Sequence, residues 1–323
     1  MRVRLTRIDD VDLNLFEFDY DLTFTVFFLN AEEKVYGRYG GRDAGSPDGR
    51  QSLDGLRYTM KSVLQMHERD QKTFAPKAQD TPKYLREISG ARRGGGCRHC
   101  HQVKEALNGQ LQKTGQWSRD LIWRYPLPEN LGFALEVQRG NVVKDVNNNS
   151  PAAAAGLRAG DVVQRLNDVP IHSFGDAQFA LDRASKAGSI DITWQRGDQV
   201  LGEKLSLPEG WRKSDLTWRP SMQRFVPKAR VYGIDLTPEE KRALGLSPLQ
   251  LAFRQKEGVP AQAQTAGIRP GDIILGVDDK QLDGMDVIDF LRYVQRNYLI
   301  GDRLTINILR EGKRMNLPME LVR

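Results

Sequence analysis

The sequence predicts an α+β protein of several domains, and three observations carry that reading. The stretch "AGLRAGDVV" (155–163) returns as "AGIRPGDII" (266–274), 111 residues later, so the second half repeats one unit. Each copy continues through a polar turn, a helical stretch and a strand pair. The first 40 residues read as strands, set apart from the repeats by a polar, glycine-rich stretch. A chain of 323 residues with 39% apolar side chains has room for two or three domains with real cores.

In the N-terminal part, "VRLTRI" (3–8) alternates in strand fashion, and "LTFTVFFLN" (22–30) is rich in aromatic and β-branched residues. "KVYGRYG" (34–40) follows the short break "AEE", which predicts a hairpin. "SLDGLRYTMKSVLQMHERD" (52–70) reads as a helix capped by Ser52, with Leu56, Met60, Val63, Leu64 and His67 at helical spacing. Residues 71–96 read as a linker with one helical turn at "PKYLREI" (82–88).

Each repeat has a local logic. Ser150 and Pro151 suit the cap and first position of a short helix, and Gly156 its left-handed exit. Gly160 or Gly271 allows a tight turn, in which Asp161 or Asp272 can accept backbone N–H groups. This pattern resembles the PDZ domain twice, over 128–209 and 229–323, with 210–228 as a linker. "LGF" (Leu131, Gly132, Phe133) looks like the loop of that family whose backbone N–H groups hold a peptide carboxylate while the peptide adds a strand. "YGIDLTPEEKRALGL" (232–246) is similar to the PDZ domains of Deg-type envelope proteases and places Tyr232, Gly233 and Ile234 at the matching loop. The resemblance implies peptide or protein C-termini as partners.

Residues 1–70 resemble the later part of a thioredoxin fold: strand, hairpin and closing helix. That family's first strand and redox CxxC would lie before Met1, and Thr23 stands near its cis-proline position. A sheet beginning at residue 2 with no partner would leave an open edge, so a truncated or misplaced start is the expectation. The fold class is thus a partial thioredoxin-like α/β segment, a 71–127 linker with a CxxCH segment, and two PDZ-like β-sandwich or barrel domains.

"CRHCH" (97–101) holds both cysteines of the chain. Three readings stand side by side. Covalent haem c would use Cys97 and Cys100 as thioethers and His101 as the proximal iron ligand. Val103, Ala106, Leu107 and Leu111 form a stripe that could cover one haem face; Met60, Met66 and His67 are upstream candidates for the other side. A zinc site could draw on the same cysteines with His99 or His101. A redox dithiol is the third reading.

The net charge of +6 is dispersed over many Lys and Arg, which argues for a solvated basic surface and against nucleic acid. The longest dense apolar stretch, "FTVFF" (24–28), is too short to span a bilayer, and "MRVRLTRIDD" shows no signal peptide. The CxxCH and the PDZ resemblance point to the cell envelope or periplasm. The segment before the repeats is too short for a two-barrel serine protease, and no scaffold for a Ser–His–Asp triad is evident. The sequence therefore leads to a non-catalytic peptide-binding protein with a haem-attaching or redox-sensing segment, with an electron-transfer or thiol-redox protein as the alternative.

Overall fold

The repeated motif folds into the same device in both copies. In the first, Ser150 Oγ accepts the Ala153 N–H (3.2 Å) at the start of α3 (Pro151–Ala154). The chain leaves through Gly156 (φ 82°), turns at Gly160 (φ 88°), and Asp161 Oδ2 accepts the Arg158 N–H at 2.7 Å. In the second, α6 (Ala261–Thr265) exits through Gly267 (φ 93°), and Asp272 Oδ2 accepts the Arg269 N–H at 2.8 Å. Both aspartates are buried, and each is held by an arginine that the sequence reading missed. Arg196 Nε reaches Asp161 Oδ1 at 2.7 Å and its Nη2 the Gly156 carbonyl at 2.8 Å. Arg310 repeats this on Asp272 (2.7 Å) and Gly267 (2.6 Å). We expect Asp272→Ala to destabilise the second unit by roughly 2 to 3 kcal/mol, because it strips both Arg310 and the Arg269 N–H of an acceptor. Chemical denaturation followed in that unit checks this.

The computed structural model describes residues 2–70, 81–88, 99–223 and 225–322. It divides into two units, Met1–Ser214 and Asp215–Arg323. In the first, β3 (Phe133–Leu135) pairs antiparallel with β4 (Val143–Val146), and a second sheet has the order β6 (Val169–Pro170), β5 (Val162–Leu166), β7 (Gly188–Arg196), β8 (Gln199–Leu207). A Val142–Val162 bridge links the two sheets. Helix α4 (Phe174–Arg183) supplies Ala177, Ala180 and Leu181 to a core that also holds Leu131, Phe133, Ile190, Trp194 and Trp211. In the second unit one antiparallel sheet runs β13 (Lys313–Glu320), β12 (Arg303–Arg310), β11 (Ile273–Val277), β10 (Phe253–Gln255), β9 (Gly233–Asp235). It carries α5 (Pro238–Ala243) and α7 (Val287–Asn297), and Phe253 packs on Phe290 with ring centroids 5.5 Å apart.

The N-terminal part departs from expectation. The predicted hairpin forms, β1 (Val26–Leu29) against β2 (Val35–Tyr39). No strand forms at 3–8, where Val3 and Leu5 are exposed, and β1 and β2 make a two-stranded sheet of their own. The parallel strand of the thioredoxin order is thus not found among the described residues of 1–70. Helix α1 (Leu53–Asp70) begins as expected, with the Gly55 N–H on Ser52 Oγ at 2.9 Å. It buries Gly55, Thr59 and Val63, however, while Met60 and Leu64 face solvent. The reason is polar: Thr59 Oγ1 donates to Gly55 and His172 carbonyls, Ser62 meets His172, and Tyr58 OH donates to Asn141 Oδ1 at 2.8 Å. These bonds turn the helix toward its small and hydroxylated face.

Candidate functional site

In the first unit, a groove of the kind that would admit an extended strand would lie between β3 and α4. Gly132 (φ 89°) ends the turn Pro128–Leu131 just before β3. Its N–H bonds the Glu129 carbonyl at 3.0 Å and its own carbonyl accepts the Asn147 N–H at 2.8 Å. A Cβ on Gly132 would stand 2.1 Å from Ser150 Cβ, so the backbone and the packing both require glycine. Leu131 and Phe133 bury their side chains in the core.

Helix α4 has little free surface: eight of its ten residues are buried. Positions 174, 178 and 182 share one face. Phe174 packs on Gly41, where a Cβ would come within 2.4 Å of its ring, and the Arg50 guanidinium lies 4.7 Å from its centroid. Gln178 Nε2 donates to the Tyr125 carbonyl at 3.0 Å. Asp182 accepts the Tyr125 N–H (2.8 Å) and the Arg124 Nε–H, which its two oxygens share at 2.7 and 2.8 Å. Around the helix from there, Asp176 Oδ1 accepts the Arg38 N–H at 2.7 Å, and the Arg38 guanidinium lies 3.5 Å from the Phe179 centroid. A small cleft is lined by Tyr39, Gly40, Arg50, Leu135, Val137 and Phe174.

The second unit is arranged differently. Tyr232, Gly233 and Ile234 lie at the start of the edge strand β9, where a Cβ on Gly233 would collide with the Arg254 carbonyl at 2.0 Å. Tyr232 OH is tied to the Gly258 carbonyl at 2.9 Å. Beside β9 runs α7, with the Val287 N–H on Asp235 Oδ1 at 2.9 Å. This helix buries only Phe290 and Val294. Ile234 is 63% exposed and Ile288 49%, so apolar side chains on both walls stand in solvent.

A buried polar cluster, unread from the sequence, lies before α4. His172 Nδ1 meets Ser62 Oγ at 2.7 Å, its Nε2 faces Met66 Sδ at 3.3 Å, and its backbone N–H donates to Asp176 Oδ2. Burial pushes the imidazole down to about 4. Burial also raises the Asp176 carboxyl to about 7, against the pull of Arg38 and the N–H groups it accepts. Among the described residues the ring's second nitrogen faces Met66 and not a carboxylate, unlike the arrangement of a Ser–His–Asp triad. The pair ties α1 to the start of α4.

Of the CxxCH group, Cys97 lies outside the described residues. Cys100 opens α2 (Cys100–Lys113), and burial raises its thiol. His101 Nδ1 pairs with Glu105 at 2.8 Å, and the His99 and His101 rings stack 5.6 Å apart. Val103 and Ala106 of the expected apolar stripe are buried. Among the described residues no three metal-ligating side chains converge. No helix among them is long and apolar enough to cross a membrane.

Comparisons with known proteins place this geometry. Residues 130–207 match the PDZ domain family. The chain is 26% identical over 223 residues to a probable periplasmic serine endoprotease, DegP-like, of Hahella chejuensis, covering 66% of this chain and 45% of that protein. It is 31% identical over 178 residues to the periplasmic serine endoprotease DegP of Escherichia coli, covering 54% of this chain and 35% of that protein. The chain thus spans less than half the length of these relatives. A solved HtrA-type protease, AlgW with tripeptide, is 21% identical, with 56% of this chain and 58% of that chain covered and a TM-score of 0.28. These relatives overturn the expectation of a non-catalytic binder with a haem or redox segment, and its electron-transfer alternative: this chain carries a PDZ domain and is similar to periplasmic serine endoproteases of the Deg type.

Proposed function

We propose that the chain is a protease-related envelope protein that engages unfolded polypeptide for endoproteolysis of the Deg type. The observation that carries this is the similarity to periplasmic serine endoproteases, which extends over 54 to 66% of the chain and so well beyond the 130–207 PDZ match. The geometry supports it on the second unit. An edge strand offers unpaired backbone groups, and apolar Ile234 and Ile288 flank it, so an extended apolar segment could add to β9 and set side chains against α7. That mode reads backbone and alternate side chains rather than a folded surface, which suits unfolded chains.

The test uses the full chain with reduced, carboxymethylated lactalbumin. Saturable binding of the unfolded protein but not of native lactalbumin, with faster cleavage when a Deg-type endoprotease is added, is the expected result. Equal binding of both forms, or no effect on cleavage, would remove this reading. Ile234→Asp should weaken the binding about tenfold or more, since it puts a charge where an apolar side chain must dock. Fluorescence anisotropy reads that change.

A further inference from the structure

We propose that the first groove is occupied by the chain's own upstream segment, so that Arg124–Tyr125 acts as a built-in occupant and the second unit is the one open to polypeptide. This rests on the reading of polypeptide engagement above, and adds an autoinhibitory contact to it.

The contrast between the two helices shows why. Both follow the repeated motif at the same place in the order of elements. In α7 only Phe290 and Val294 are buried, whereas α4 leaves Arg183 as its one exposed residue. What covers the face of α4 shared by 174, 178 and 182 is chain from upstream. Tyr125 uses its carbonyl on Gln178 and its N–H on Asp182, so its backbone is held at both ends by side chains of the helix. Its φ of 53° is a left-handed value that a tyrosine adopts only under such constraint. Arg124 fastens the segment through Asp182. A ligand that uses the 178–182 part of this face must displace these contacts and expose Tyr125, which is 6% exposed here.

Hydrogen exchange of the full chain, with and without carboxymethylated lactalbumin, tests this. The wild type and the double variant Arg124→Ser/Tyr125→Gly are compared; glycine keeps the left-handed φ while removing the buried ring. The expected result is ligand-dependent protection at 232–236 alone in the wild type, and at both 232–236 and 133–137 in the variant. The new protection should slow exchange about tenfold or more. Protection at 133–137 in the wild type overturns the proposal and leaves polypeptide engagement standing. So does a folded variant that gains none there. Protection at 133–137 only in the variant, with none at 232–236, supports self-occupancy and sinks the reading of the second unit. Protection nowhere overturns both. Should the double variant not fold, Tyr125→Gly alone, which leaves Arg124 on Asp182, carries the same comparison.

Discussion

Asp182→Ala is expected to cost the first unit roughly 3 to 5 kcal/mol, enough to threaten its folding. The carboxylate is buried and takes three N–H donors at once. The Arg124 Nε–H is shared between its two oxygens, and Arg124 Nη2 and the Tyr125 N–H supply the others. Arg212 adds a positive charge 3.6 Å away. Burial alone would raise this carboxyl, but the Arg124 bonds outweigh it and hold it below the ordinary carboxylate range. Removing it leaves a half-buried guanidinium and a buried N–H without their main acceptor, which is the costly way to break such a cluster. The sign of the acid dependence follows. A depressed carboxyl stabilises the fold above its unfolded pKa, and that contribution is lost as the pH falls through the folded value. The wild type should therefore weaken in acid at this site, while the variant has nothing there to lose. Asp182→Asn keeps the shape and one acceptor and should fall between them. Denaturation at pH 7 and pH 3 reads all three.

The parts of this fold that could be read from the sequence are those fixed within a few residues. Ser150 caps because its hydroxyl meets an N–H three residues on. Asp161 and Asp272 take their turns' N–H groups for the same reason, and the repeat doubled the signal. The arginines that grip them lie 35 and 38 residues later, but each closes the first strand of the final hairpin, so comparing the two copies position by position could have found them. The upstream segment was opaque because nothing local decides it. Alternation in "VRLTRI" reads as a strand, yet a strand needs a partner and none is formed. The hairpin and the 122–131 stretch are placed by Asp176, Gln178 and Asp182, which on the sequence are the ordinary polar positions of an amphipathic helix. Only the docked structure shows those three side chains buried. Hence α4 beside Leu131–Phe133 is mostly buried, while Ile234 and Ile288 in the second unit stand exposed.

The second large effect concerns pH, and it should be hidden in the wild type. Two buried groups beside α1 titrate in opposite senses. Burial raises Asp176 from 3.8 to about 7. A raised carboxyl stabilises the fold below its unfolded value, and this is lost as the pH rises toward 7. Burial lowers His172 from 6.5 to about 4. A depressed imidazole stabilises the fold above 6.5, and this is lost as the pH falls toward 4. Between about pH 4 and 6.5 the two slopes oppose, each near 1.4 kcal/mol per pH unit at most, so they largely cancel. Substitution should uncover them singly. His172→Gln retains a hydrogen-bonding partner for Ser62 and removes the imidazole, so its stability should fall relative to the wild type by about 3 kcal/mol as the pH rises through that window. Asp176→Asn should do the reverse and gain on the wild type up to pH 7. Both changes act where β2 and α1 meet α4, through the Arg38 N–H on Asp176 and the Ser62 hydroxyl on His172. Urea midpoints measured in half-unit steps from pH 4 to 7.5 decide the matter. If both variants run parallel to the wild type, neither group changes its proton affinity on folding, and the cancellation is absent.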